Sequence, residues 1–157
     1  MKFCENIYRI LNHFGSFLQS PLLLLCRLYW GTLFMLVGWD KLQNIAPLLG
    51  LLKKQHVFFP ELMAYLVAFI ECFGGICLIL GLGARLAALP LALIMSTAFY
   101  LAHFAALKVF FTNPTALVAE EPFNYLLASL LILAFGPGCF SVDFLLEKGF
   151  FTSKKSR

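Results

Sequence analysis

The sequence predicts an all-α protein that crosses a membrane several times, and three observations lead to that prediction. Hydrophobic residues make up 61% of the 157 residues and charged residues only 13%, whereas a soluble domain has about half and about a quarter. Mean hydropathy is +0.87. The apolar residues are also gathered into long continuous runs, without the strict alternation that is typical of half-exposed strands.

Four of these runs are each about long enough to cross a hydrocarbon core of ~30 Å as a helix. They are Pro21–Trp39, Pro60–Leu82, Leu86–Leu107 and Pro122–Phe140. Four segments cannot close a β-barrel, so helices are the structure that satisfies the backbone hydrogen bonds inside lipid. We therefore expect a four-helix transmembrane bundle over residues 21–143, within one small domain.

The first 20 residues have a different pattern. Apolar side chains recur three or four positions apart, at Phe3, Ile7, Ile10, Phe14 and Phe17, and polar residues lie between them. That spacing predicts an amphipathic helix over residues 1–20 that lies in the membrane interface. A secretory signal is the alternative, but the polar part is long and no small-residue cleavage site follows Trp39.

The connections between the runs also predict structure. Residues 41–59 contain an apolar run, Ile45–Leu52, which is too short to span and is expected to be re-entrant or interfacial. The connection Gly81–Arg85 is so short that the second and third spans should form an antiparallel hairpin. After the break at 136–138, Ser141 and Asp143 are candidate caps of a short helix over residues 144–148.

The cations indicate an orientation. Seven Lys and Arg residues lie in the N-terminal segment, the Gly81–Arg85 connection and the tail of residues 144–157, against four on the opposite side. The positive-inside rule therefore predicts that both termini are cytoplasmic. The positive charges form no stripe on a solvated fold, so the net charge of +4 indicates lipid headgroups and not a nucleic acid as the partner.

Two ionisable residues fall inside the predicted spans, Arg27 in the first and Glu71 in the second. Arg27 lies ~9 Å from the cytoplasmic end and Glu71 near mid-depth, a difference that an arginine side chain can largely cover. Each lies on a helix face rich in small residues, which permit close packing. These faces are Arg27, Gly31, Phe34, Gly38 and Lys41 on the first helix, and Ala64, Ala68, Glu71 and Gly75 on the second.

An interhelical Arg27–Glu71 pair is the simplest hypothesis for these charges. Intramembrane charges are rare and costly, so the pair is a candidate ligand site or proton path. Two structural alternatives stay open at this stage. The pair could only fix the register of the helices, or Glu71 could be protonated and hydrogen-bonded within the bundle.

A second set of polar residues lies toward the outer face: Asp40, Lys41, His103, Glu120, Glu121, Asn124 and Tyr125. His103, Asn124 and Tyr125 are candidates to flank the ligand or proton path, because a quinone head group needs a few donors and an aromatic wall. The alternative is ordinary decoration of the interface, with tyrosine at the headgroup level and charges in water.

The five cysteines form no C-x-x-C pair, so a zinc site and a thioredoxin-like motif are not predicted. They are expected to be buried apolar residues. The sequence also lacks a P-loop, a dinucleotide-binding fingerprint and a G-x-S-x-G motif. No covalent cofactor is expected.

Several separated motifs resemble the DoxX family over roughly residues 20–145. The stretch from Glu71 to Arg85, with Gly74 and Gly75, is similar to the family's second-to-third helix signature. The segment from Gly136 through Pro137 and Gly138 to Asp143 is similar to its terminal G-P-G-x-x-S-x-D motif. On the first helix the resemblance is carried by Arg27, Gly31, Gly38 and Lys41.

The resemblance implies a four-helix protein of the bacterial inner membrane. Some relatives are subunits of quinone-linked oxidoreductases or partners of redox proteins, so a quinone and a soluble or membrane oxidoreductase subunit are implied as cofactor and partner. The alternatives are a non-catalytic scaffold that recruits a soluble redox or stress-response protein, and a carrier of a small solute or protons. An oligomer is compatible with each, and the sequence does not decide whether the chain is an enzyme.

Overall fold

A computed structural model describes the backbone of residues 2–17 and 102, and the backbone and side chains of residues 18–101, 115, 118–144, 146 and 148. Within these residues the chain is all-helical and contains no strand. Its helices are α1 (Lys2–Gln43), α2 (Ala46–Lys54), α3 (Pro60–Leu80), α4 (Ala84–Ala102) and α5 (Glu121–Phe135).

Three segments of the described part are long and apolar enough to cross a membrane: Leu18–Gln43, Pro60–Leu80 and Ala84–Leu101. The fourth apolar helix, α5, is shorter, and it ends at Phe135 instead of the expected Phe140. It ends there because Gly136 adopts a positive φ of 79°, which interrupts the helix. The part of the third predicted span beyond Ala102 lies outside the described residues.

The helix α1 runs without interruption from Lys2 through Pro21 to Gln43. The predicted amphipathic segment and the first span are therefore one continuous helix. Proline at position 21 lacks a backbone N–H, which removes one intrahelical hydrogen bond, but the helix continues past it. The interfacial position of residues 1–20 stays a prediction.

The helices α1 and α3 pack closely because glycines lie where they cross. A Cβ atom at Gly75 would lie 2.6 Å from the carbonyl oxygen of Gly31, and one at Gly38 would clash with the backbone of Cys72. These glycines belong to the two small-residue faces that the sequence predicts, and Ala64 and Ala68 are fully buried on the same side of α3.

The predicted hairpin is present: only residues 81–83 separate α3 from α4. The apolar run Ile45–Leu52 forms most of α2, which packs against α3 and buries Leu52. Four helices contribute to one core cluster, which consists of Phe34, Leu78, Ala84, Ala88, Leu91, Met95 and Ile132.

The bundle has two ends that differ in their charged residues. We call the end with Arg27, Arg85 and the connection 81–83 the arginine end, and the end with Lys41 and α2 the lysine end. Much of the surface between them is apolar, with large side chains such as Leu22, Phe69 and Leu93 about 60% exposed or more. Contiguous apolar surface on this scale indicates a lipid environment.

Candidate functional site

The Lys41–Glu71 ion pair is the buried polar centre of the bundle. Lys41 lies in the last turn of α1, and its Nζ donates to both oxygens of Glu71, at 2.7 Å to Oε1 and 2.6 Å to Oε2. The Glu71 side chain is 1% exposed and that of Lys41 is 30% exposed. The Glu71 side chain is therefore enclosed, whereas the Lys41 side chain is partly exposed.

The prediction of an Arg27–Glu71 pair is wrong. A pair of Arg27 with Glu71 requires the end of α1 to lie level with the start of α3. In the structure the end of α1 lies further along α3, toward the middle of that helix. Gly38 lies against Cys72, which is ~18 Å along α3 from Pro60. That offset brings Lys41 to the level of Glu71 and leaves Arg27 about 21 Å away along α1.

Arg27 instead binds the turn that follows α5. Its Nη1 donates to the carbonyl oxygen of Pro137 and its Nη2 to that of Phe140, at 2.8 Å for the second contact. The residue is 1% exposed, and its Nε has no hydrogen-bond partner within the described residues. A Cβ at Gly81 would lie 2.8 Å from Nη1, so this glycine leaves room for the guanidinium group.

Asp143 completes the arginine end. Its carboxylate accepts the backbone N–H groups of Gly83 at 2.7 Å and Ala84 at 3.1 Å, which are at the start of α4. The sequence suggested that Ser141 and Asp143 cap the helix that follows them. Ser141 does so, since its Oγ accepts the N–H of Phe144 at 3.2 Å, but Asp143 caps α4 instead.

A small cavity of about 90 Å³ borders the Lys41–Glu71 pair. The helices α1, α3, α4 and α5 all contribute to its wall, with Phe34, Val37, Met95, Ala98, Glu121, Pro122 and Tyr125 as further lining residues. The Tyr125 ring lies edge-on to Phe34, with ring centroids 4.7 Å apart, and to Trp30 at 5.2 Å. The cavity thus combines one ion pair with an aromatic wall.

Of the five candidate ligand or proton-path residues, the structure brings two together here, Glu71 and Tyr125. Arg27 lies at the opposite end. The Nδ2 of Asn124 donates to the carbonyl oxygen of Val118 at 2.8 Å, and Asn124 does not line the cavity. His103 lies outside the described residues.

Lys41 is the site residue that the sequence reasoning placed incorrectly. Its position in the sequence groups it with the second polar set. It also shares a helix face with Gly38, and its positive charge compensates the negative charge of Glu71. The length of the connection between α1 and α3 was the available indication of this pairing. The connection contains a whole helix, α2, so the end of α1 can lie further along α3 than the first residue of α3.

The described part of the chain contains no group of three or more His, Cys, Asp and Glu side chains placed to hold a metal ion. Cys26, Cys72, Cys77 and Cys139 are free thiols. Cys139 is exposed and Cys26, Cys72 and Cys77 are partly exposed, so the expectation that the cysteines are buried is wrong for these four.

The fold and site define a polytopic α-helical membrane protein with a buried ion pair between its first and second spans. The chain belongs to the DoxX family, whose family model matches residues 22–104, more than half of the chain. The matched region contains α2, α3, α4 and the membrane-spanning part of α1, and with them both members of the ion pair. No curated protein and no solved structure matches the chain.

Proposed function

We propose that the chain is a quinone-associated subunit of an oxidoreductase assembly in the bacterial inner membrane. The observation that carries the proposal is the Lys41–Glu71 pair beside a cavity with aromatic walls. Buried charges in a membrane are costly, and they are retained most often where they serve a ligand or a proton. A partner oxidoreductase subunit belongs to the proposal as the component that would exchange electrons with the bound quinone.

In this proposal α5 is a fourth membrane crossing. Its first turns border the cavity at the lysine end through Tyr125, and the turn after it binds Arg27 at the arginine end. It therefore passes between the same two levels as the segment of α3 from Glu71 to Gly81. With four crossings the two termini lie on one side, which the positive-inside rule makes the cytoplasm.

The size of the cavity limits how a quinone would bind. About 90 Å³ is well below the ~300–1,000 Å³ of a pocket that encloses a whole drug-sized ligand. Only part of the head group would enter, and the isoprenoid tail would lie along the lipid-facing surface. Lys41 is the natural donor to a quinone carbonyl, because its side chain is partly exposed and lines the cavity while both oxygens of Glu71 are already paired.

The chemistry of a bound quinone is the uptake and release of electrons with protons. The part that this chain would supply is positioning and charge. Lys41 would hold the carbonyl oxygen, Glu71 would keep Lys41 in place, and the rings of Phe34 and Tyr125 would flank the head group.

A quinone titration of the purified protein tests the proposal. Glu71→Gln should weaken quinone binding by about tenfold, since it removes the charge that holds Lys41. Glu61→Gln is the matched control, because it makes the same chemical change on a side chain that is 74% exposed and outside the cavity. Absence of binding in the wild type, or equal binding in Glu71→Gln, would contradict the proposal.

A proton carrier is the second candidate, and the cavity itself favours it. A volume of about 90 Å³ has room for roughly three waters beside the ion pair. Proton flux into liposomes distinguishes the two functions: a carrier conducts without added quinone and loses flux in Glu71→Gln, whereas a quinone subunit does not conduct. The scaffold alternative is tested by deletion of residues 1–18 or 148–157, which should abolish co-purification of a partner.

A further inference from the structure

We propose that two neighbouring grooves at the arginine end together hold one anionic phospholipid. Its phosphate would lie against Arg85 in the first groove, and one acyl chain would lie in the second groove, between α1 and α5. This site is at the opposite end of the bundle from the Lys41–Glu71 pair. It does not rest on the quinone proposal.

The first groove lies between the α3–α4 connection and the turn after α5. Its volume is about 510 Å³, and its lining includes Gly83, Arg85, Leu86, Gly136 and Ser141. The glycines keep the floor of the groove free of side chains. The groove is open to the surface, so a ligand can enter it without a rearrangement of the helices.

Arg85 supplies the positive charge. It is exposed, and it makes no hydrogen bond or ion pair with any residue that the structure describes. Its guanidinium lies close to Gly136, where a Cβ atom would be 3.0 Å from both Nε and Nη2. The side chain is thus held over the groove by packing while its donors remain available, and a guanidinium can bind two phosphate oxygens at once.

Among the described lining residues the acidic one is Asp143, and it is already paired. Both carboxylate oxygens of Asp143 accept backbone N–H groups of the α4 N-terminus, where the helix dipole favours a negative charge. The charge of the groove therefore suits an anion.

A second, apolar groove of about 500 Å³ borders the first. It lies between α1 and α5 and is lined by Leu18, Leu22, Leu23, Cys26, Leu131 and Phe135, with Gln19 as its polar residue. Phe135 lines both grooves. On α5 this groove extends ~6 Å from Phe135 to Leu131, toward the middle of the bundle, enough for the first part of one acyl chain.

The two grooves together specify the occupant. A free phosphate ion would satisfy Arg85 and leave the apolar groove empty, and a neutral lipid would fill the apolar groove and leave Arg85 without a counter-charge. An anionic phospholipid matches both parts. Its preferred leaflet would be the cytoplasmic one, because anionic lipids attract cations there.

Native mass spectrometry of the detergent-purified chain tests this proposal. The probes are phosphatidylglycerol and phosphatidylcholine with identical acyl chains, each titrated alone and then against inorganic phosphate. Arg85→Gln removes the proposed contact. Lys54→Gln is the matched control, because it removes one exposed positive charge at the lysine end. Leu131→Trp fills the apolar groove, and thermal unfolding confirms that each variant is folded.

The wild type should retain phosphatidylglycerol about fivefold more tightly than phosphatidylcholine, and Arg85→Gln should abolish this preference. Lys54→Gln should keep it, and Leu131→Trp should weaken the binding of both lipids. Equal binding of the two lipids to the wild type would overturn the proposal, as would an unchanged preference in folded Arg85→Gln. Displacement of the lipid by inorganic phosphate alone would identify a free anion as the ligand and overturn the lipid assignment.

Discussion

Each residue of the Lys41–Glu71 ion pair compensates the buried charge of the other. The Glu71 carboxylate is buried among apolar helices, and Lys41 is the cation that balances it. Removal of one partner leaves the other charge without compensation, whereas replacement of both by apolar residues can cost little.

We therefore expect Lys41→Met to destabilise the protein by about 3–5 kcal/mol. The double variant Lys41→Met with Glu71→Leu should recover most of that loss. Thermal or denaturant unfolding in detergent measures both, and Lys54→Met is the control for the loss of an exposed charge. Additive effects in the double variant would show that the two residues do not interact energetically.

Arg27 depends on the geometry of its guanidinium group and not only on its charge. Its two terminal nitrogens donate to two carbonyl oxygens, those of Pro137 and Phe140, and a lysine ammonium cannot reproduce that fork. Arg27→Lys should cost about 1.5–3 kcal/mol of stability, the typical contribution of a hydrogen bond to a charged group. Arg85→Lys, at an exposed arginine, should stay within about 0.5 kcal/mol. Equal effects at the two positions would contradict this interpretation.

The effect of adding a methyl group to a helix can be compared directly at two glycines, Gly38 in α1 and Gly50 in α2. A Cβ at Gly38 would clash with the backbone of α3, which cannot move aside as a side chain can. A Cβ at Gly50 would meet nothing within 4 Å. Gly38→Ala should therefore destabilise the bundle by about 1–3 kcal/mol, whereas Gly50→Ala should stabilise α2 by up to about 1 kcal/mol. A neutral Gly38→Ala would mean that α1 and α3 pack less closely than described.

The N-terminus of α4 is capped by Asp143, a residue that comes much later in the sequence. Asp143 accepts the N–H groups of Gly83 and Ala84, so Asp143→Ala should cost about 0.5–2 kcal/mol, as the loss of an N-cap does. Hydrogen exchange at those two amides should become faster, and it should not change in Asp40→Ala, which alters an exposed aspartate of α1. Unchanged exchange in Asp143→Ala would contradict the cap.

The proposed arrangement of four membrane crossings predicts which cysteines a membrane-impermeant maleimide can reach. Cys139 is exposed at the arginine end, and Gly50→Cys would place a thiol in α2 at the lysine end. In intact cells Gly50→Cys should be labelled from outside and Cys139 only after the membrane is permeabilised. Labelling of both thiols from the same side would exclude the proposed topology.

The sequence was sufficient for the parts of the molecule that depend on composition and local pattern. Long apolar runs predicted the spanning helices, and small residues at helical spacing predicted the contact of α1 with α3. The partner of Glu71 was not predictable in this way, because it depends on how far one helix slides along another. That offset is set by tertiary contacts such as Gly38 with Cys72, which no pattern within one helix records.

The interactions of Arg27 also have a consequence for the time course of synthesis. Its two acceptors lie 110 and 113 positions later in the chain. At a synthesis rate of ~5–20 residues per second, α1 enters the membrane roughly 5–20 s before those carbonyl groups exist. During that interval the guanidinium must be accommodated by water, lipid phosphates or the insertion machinery. The turn after α5 therefore fixes Arg27 in place only after a chain segment of more than 100 residues has been added.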